Sequence, residues 1–287
     1  MLYIQIATLT LFVGVAEMHL FSCPNTSIHI LSHPSAEFSV NNFPGRSFFD
    51  SHPTKELLHF DIRGDPCGPF LREHHVYLRP RTSDTNIYAN IFLRWEFKFL
   101  DNLFINREPK SILDLGGNCG LSSLYLGLRF ASATIVSVEP YLPNFRLMRL
   151  NTAQTEKQFL ELGSIGTSAG VISLSQPGKS PSPRYTGFRI IHDNPSDETF
   201  VPEFTIMQVA KKYGWTAIDY VKIDIEGTEK NLCEEGASWL PLVRCLSIEM
   251  HDRMVNGCSA SCRMAFLSAG LYRVGLYDEL EVWCRNK

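Results

Sequence analysis

Short apolar runs rich in β-branched residues alternate along this chain with segments whose apolar positions recur at helical spacing. Ser111–Leu115, Thr134–Val138, Asp219–Ile225 and Val243–Met250 read as strands buried on both faces, and Gln158–Leu162 as a further strand beside them. Between them Leu121–Phe130, Pro143–Asn151, Thr205–Tyr213, Glu229–Glu235 and Ser261–Ala269 carry helical patterns. Strands separated by helices predict an α/β fold with a doubly wound, mostly parallel sheet. Leu271–Val274 and Glu281–Cys284 predict a closing antiparallel hairpin. Val171–Leu174 and Phe188–Ile191 predict another around the Pro/Ser-rich loop Ser175–Arg184. No internal repeat interrupts this order.

Upstream the pattern weakens. His74–Leu78 reads as a strand, Arg79-Pro80-Arg81-Thr82-Ser83-Asp84 as a loop, and Ile87–Leu103 as one helix with Ile87, Ile91, Phe92, Trp95 and Phe99 on its apolar face. His19–Asp65 is rich in Ser, Pro, Asn and His. Residues 1–73 are therefore expected to be an extension and residues 74–287 the main domain. Leu2–Ala16 is almost wholly apolar, without a preceding Lys or Arg. It suits a signal or anchor core or a buried N-terminal element, so a cytoplasmic protein is expected, with a membrane-anchored or secretory one as the alternative.

Charge and cysteine narrow the picture. The net charge of −3 gives no basic footprint for nucleic acid, so a small-molecule partner is expected. The 8 cysteines form no CxxC pair and no zinc-ligand spacing. Cys258 and Cys262 sit one helical turn apart, and Cys119 lies in a glycine-rich turn, which favours a reduced compartment.

The candidate chemistry collects at the strand ends, where ligands of open α/β sheets lie. Ser111–Leu115 runs into Gly116-Gly117-Asn118-Cys119-Gly120 before a helix begins, which makes a cradle of backbone N–H groups with little side-chain bulk. Asp114 closes the first strand and Glu139 the second, where an acid can accept from both hydroxyls of a ribose. The spacing Asp-x-Gly-x-Asn-x-Gly departs from the dinucleotide Gly-x-Gly-x-x-Gly, and an acid before the first glycine repels a pyrophosphate but suits a cationic head. S-adenosylmethionine (SAM) fits better than NAD(P). Asp224 with Glu226, and Glu249 with His251, end two further strands. Acids at strand ends also simply meet water, but several in one sheet point to a shared site.

Three blocks, Asp114-Leu115-Gly116-Gly117-Asn118-Cys119-Gly120-Leu121-Ser122, Val138-Glu139-Pro140 and Val221-Lys222-Ile223-Asp224-Ile225-Glu226-Gly227, together resemble the FkbM family of SAM-dependent methyltransferases. Leu78–Asp84 and Ile248–Arg253 resemble its flanking signatures, and residues before His74 lie outside the resemblance. It implies a Rossmann-like class I methyltransferase fold and O-methylation of a hydroxyl on a sugar, glycolipid or other small metabolite. By this resemblance Asp114, Gly116, Gly117, Asn118 and Gly120 hold the methionine part of SAM, Glu139 the ribose, and Ser164 faces the adenine.

An alcohol needs a base to become a nucleophile. Asp224 is the first candidate and His251 its rival, because its ordinary pKa of about 6.5 suits proton transfer. Glu226 stands beside them. The same residues with Glu249 could gather Mg²⁺, but the resemblance does not demand a metal and none is assigned. Arg79, Arg81 and Asp84 could lid an acceptor pocket or form a solvated turn, while Trp95 and Trp239 read as core. Two other readings stay open, a non-catalytic SAM-fold binding module and an NAD(P)-dependent oxidoreductase. The acceptor itself depends on variable loops such as Ser175–Arg184.

Overall fold

A computed structural model describes residues 7–13, 16–22, 29–30, 57–62, 74–79, 82–175, 189–191, 199–235 and 237–286. The chain divides into two compact units, Met1–Thr85 and Asn86–Lys287.

In the first unit Ala7–Val13 pairs antiparallel with Ala16–Ser22, so the described part of the apolar N-terminal stretch is strand. No helix among the described residues is long and apolar enough to cross a membrane. His29–Ile30, Leu58–Ile62 and His74–Leu78 form an antiparallel sheet in that order. Just beyond it Arg79 donates from its backbone N and Nε to Asp84 Oδ2, at 2.9 and 2.8 Å, and from Nη2 to Oδ1 at 2.8 Å. Arg81 lies outside the described residues.

The second unit is built on seven strands: β1 (Ser111–Leu115), β2 (Thr134–Glu139), β3 (Gln158–Leu162), then β8 (Ile218–Ile223), β9 (Val243–Glu249), β10 (Leu271–Tyr277) and β11 (Leu280–Arg285). Their spatial order is β10-β11-β9-β8-β1-β2-β3, and β11 alone runs against the rest. This is the doubly wound, mostly parallel, Rossmann-like sheet with its closing hairpin. The intervening β4 (Ser164–Ile165), β5 (Gly170–Ser175), β6 (Arg189–Ile191) and β7 (Thr199–Phe204) form a small separate sheet, in which β5 and β6 make the expected hairpin. The loop Ser175–Arg184 lies, past Ser175, outside the described residues.

Helices α1 (Leu121–Arg129), α2 (Leu142–Thr152), α3 (Ile206–Lys212), α4 (Glu229–Glu234) and α5 (Cys258–Ser268) link the strands. The first three starts have local causes. Gly120 takes a left-handed φ of 85° before α1, Pro143 presets the first turn of α2, and Thr205 and Gln208 close a capping box on α3.

The helix expected over Ile87–Leu103 is broken. A turn at Asp84–Tyr88 runs into a wider, π-type turn at Ala89–Leu93, where the N–H of Arg94 donates to Ala89 O at 2.8 Å, and Trp95 then turns left-handed at φ 58°. Regular helix resumes only at Phe99–Leu103. A left-handed tryptophan costs about 1–2 kcal/mol, so neighbouring packing must fix it. Trp239, by contrast, is core as expected.

Pairing register separates the two faces of the sheet. Leu113, Leu115, Val136, Val138, Val221, Ile223, Leu246 and Ile248 face one way and join Trp239, Phe266 and Trp283 in the main core. The partners across the other face form a polar row, because the register pairs Ser137 with Asp114, Asp114 with Lys222, and Lys222 with Ser247. Side chains alternate along a strand, so residues two positions on return to that face. The next row is therefore Glu139, Gly116, Asp224 and Glu249. Three acids thus line one side of one edge, with Asp114 buried in the row beneath them.

Candidate active site

The polar row begins with a buried ion pair. Asp114 is fully buried, and its Oδ2 accepts from Ser122 Oγ at 2.8 Å and Ser123 Oγ at 2.6 Å. Its Oδ1 stands 3.4 Å from Lys222 Nζ. That ammonium donates to Gly116 O at 2.9 Å and lies 3.5 Å from Asp224 Oδ2. Burial alone would lower the Lys222 pKa, but Asp114, Asp224 and Glu96 outweigh it and hold the group above the usual lysine range. Lys222 thus ties the end of β1, the glycine turn and the end of β8 together.

Gly116 and Gly120 could not be replaced by larger residues without moving backbone. A Cβ on Gly116 would stand 1.8 Å from Asp224 O, and φ there is +76°. One on Gly120 would stand 2.6 Å from Met148 Cα, and one on Gly117 2.6 Å from Met148 Sδ. The amides of Gly116 and Gly117 both donate to Val138 O at 3.0 Å. Asn118 sits left-handed at φ 48° with its Oδ1 buried and without a hydrogen-bond partner. An unmet acceptor inside a bare-backbone turn is a place for a polar ligand group. Asn151, from α2, holds the turn by donating to Cys119 O at 2.8 Å.

Glu139 is pinned beside the turn. It accepts from the backbone N of Asn118 and of Tyr141, each at 2.9 Å, and from Asn144 Nδ2 at 3.3 Å. Burial raises its pKa to about 7, against the lowering effect of those donors. Ser164 is buried at the start of β4, where its hydroxyl makes only a long 3.5 Å contact to Ile165 O.

The other half of the site grows from the turn after β8. Glu226 takes φ 54° and Gly227 φ 104°. Glu229, at the first turn of α4 and fully buried, accepts from Ile225 N at 3.1 Å and Gly227 N at 2.9 Å. Its Oε1 also meets His251 Nδ1 at 2.8 Å. With Nδ1 committed, His251 Nε2 points toward Glu249 Oε1 at 3.3 Å, Glu226 Oε2 at 3.5 Å and Asp224 Oδ1 at 4.0 Å. None of these stands in line with the ring N–H, so the buried Nε2 makes no directed hydrogen bond. Burial opposes charge on His251, but Glu229, Glu249 and Asp224 raise its pKa to about 11, so the ring is a cation at neutral pH. Burial also raises Asp224, and raises Glu226 to about 7. Glu249 moves the other way, because His251 outweighs its burial.

The sequence reading did not single out Glu96 or Glu229 as site residues. Glu96 follows the left-handed Trp95, and burial raises it to about 7 within the fields of Lys222, Asp224 and Glu249. Nothing in the residue pattern marks it, because the break in the helix places it. Glu229 had a signal, an acid in the first helical turn just after a glycine. In sum, the acids Glu96, Glu139, Asp224, Glu226 and Glu249 and the inner acids Asp114 and Glu229 outnumber the cations beside them, Lys222, His251 and, at Glu249, Arg253. Such a site favours a cation.

The family model described as the methyltransferase FkbM domain matches residues 114–274, more than half of the chain. No curated protein matches it. Solved structures of similar fold include monomeric WbdD, at 13% identity over 69% of this chain and 41% of that one, with a TM-score of 0.39. The METTL16 MTase domain matches at 12% identity over 69% of each chain, with a TM-score of 0.41. Aeropyrum pernix fibrillarin with natively bound S-adenosyl-L-methionine matches at 10% identity over 80% of this chain and 98% of that one, with a TM-score of 0.37. The chain spans about two fifths of the length of WbdD. The family match covers the glycine turn and every acidic strand end: this chain belongs to the FkbM family of methyltransferases.

Proposed function

We propose that this methyltransferase uses SAM to methylate a hydroxyl of a sugar, glycolipid or other small metabolite. The observation that carries the reading is the row Glu139, Gly116, Asp224, Glu249 on one sheet edge, with a turn between Glu139 and Asp224 that admits no Cβ at Gly116 or Gly120. In this reading Gly116, Gly117, Asn118 and Gly120 receive the methionine portion of SAM, with the unmet Asn118 Oδ1 turned to its ammonium group. Asp114 supports that end from beneath, by fixing Ser122, Ser123 and Lys222. Glu139 accepts from the ribose hydroxyls, and Ser164 lies toward the base. The excess of acids suits a sulfonium nucleoside.

SAM, when bound, supplies the electrophilic methyl carbon. The chain must then hold an acceptor oxygen in line with it and remove a proton. Asp224 is the group placed to take that proton. It follows the central strand and its side chain is 31% exposed, whereas that of His251 is 1% exposed with Nδ1 already held by Glu229. Glu226 and His251 set the field around Asp224. Asp224→Asn, supplied with methyl-labelled SAM and a metabolite extract, is expected to keep SAM binding and lose turnover by roughly 10²–10⁴-fold. Unchanged yield of the labelled product that wild type makes refutes the role of Asp224.

A further inference from the structure

We infer that Asp224, Glu249 and His251 form a site for a divalent first-row cation, with Mn²⁺ as its probe. One ligand atom from each of the three lies within 4.8 Å of the others. Ligands on a small divalent ion at about 2.1 Å stand roughly 3–4 Å apart, so slight closure of three side chains suffices. Acids at strand ends are common without a metal, and they alone prove nothing. The deciding observation is His251. Its side chain is 1% exposed, its Nε2 has no hydrogen-bond partner, and it faces the three carboxylates at 3.3–4.0 Å.

Glu229 completes the argument. A buried carboxylate on Nδ1 at 2.8 Å fixes which ring nitrogen is turned to the cluster, the arrangement that orients a metal-bound imidazole. A lone donor ring needs one acceptor, yet three carboxylates converge on it. A divalent cation bridging the ends of β8 and β9 takes the place of the Nε2 proton, which leaves to solvent, and meets these carboxylates at once. Two carboxylate oxygens and one imidazole nitrogen suit a first-row ion such as Mn²⁺ better than the all-oxygen shells of Mg²⁺ or Ca²⁺. Glu226, the third carboxylate facing Nε2, is spare. The remaining positions open where Asp224 meets solvent, so water or an acceptor hydroxyl completes the shell. What the cation would do there rests on the methyltransferase reading above; whether it binds does not.

The test uses the full chain stripped with a chelator and titrated with Mn²⁺. One ion per chain is expected by calorimetry, with a pulsed-EPR coupling from an imidazole nitrogen. Glu249→Gln and Asp224→Asn should each weaken Mn²⁺ by at least tenfold, and His251→Gln should remove the nitrogen coupling. The Glu249 carboxylate is partly exposed, so Glu249→Gln keeps the test alive if the histidine variant fails to fold. No saturable Mn²⁺ binding to wild type, or binding unchanged in both carboxylate variants, overturns the site. A parallel SAM titration in chelator separates the two readings. SAM binding with no Mn²⁺ site leaves the methyltransferase and removes the cation, and the converse leaves the cation and removes SAM.

Discussion

Lys222 is where the polar face of the sheet is most exposed to perturbation. Its ammonium stands 3.4 Å from the fully buried Asp114 and 3.5 Å from Asp224, and it donates to Gly116 O. Lys222→Met keeps most of the apolar stem but leaves the Asp114 carboxylate buried with two serine donors and no counter-charge. Removing one partner of such a pair costs about 3–5 kcal/mol. Most of it falls on Asp114, because the Asp224 side chain is 31% exposed and can turn to water. With a urea dependence of about 3 kcal/mol/M, the unfolding midpoint should fall by roughly 1–1.7 M. Asp114→Asn in the same chain removes the orphaned charge and should recover at least half of the loss. A single variant within about 1 kcal/mol of wild type would show that this ion pair does not hold the row together.

Further consequences follow from the same geometry. Gly116→Ala drives a Cβ against Asp224 O at a left-handed φ, so it should cost more than the roughly 1–2 kcal/mol of the backbone strain alone and abolish calorimetric SAM binding. Gly214→Ala, equally left-handed at φ +68° but in open space, should cost about 1–2 kcal/mol and leave SAM binding unchanged. The Glu139 carboxyl, raised to about 7 by burial, titrates in an accessible range. Its folded pKa lies above the ordinary value of 4.5, so its contribution to stability is full below about pH 4.5 and is lost as pH rises through about 7. Ribose hydroxyls need the ionised form, so SAM affinity should rise between pH 6 and 8, and Glu139→Gln should flatten that rise in calorimetry. Glu229→Gln leaves one of its half-buried amide donors, Ile225 N or Gly227 N, without its carboxylate acceptor and should cost about 1–3 kcal/mol in thermal unfolding.

The sheet was legible because period carries so much of it. Ser111–Leu115 and Gln158–Leu162 were read to the residue, and the other strands to within a few positions, since a buried parallel strand is a short apolar run between turn signals. The acidic strand ends were legible for the same reason, since an unpaired carboxylate is costly inside the core and collects where a strand leaves it. What the chain conceals is how a side chain at such an end is spent. Asp114 looks like a residue facing a ligand, yet the register sets it against Lys222 and two serines beneath the turn. Glu96 was hidden because its place depends on a π-type turn and a left-handed tryptophan that override the helical period of Ile87–Leu103. The ordinary imidazole pKa offered no warning for His251, whose ring is charged by carboxylates gathered from β8, α4 and β9.

The account rests on a cationic nucleoside held between the Gly116–Gly120 turn and Glu139. Titration of SAM into the full chain by calorimetry measures that most directly. One saturable site per chain is predicted, competed by S-adenosylhomocysteine and lost in Gly116→Ala while Gly214→Ala binds normally. No saturable heat with folded wild-type protein, or binding that persists undiminished in Gly116→Ala, would contradict it.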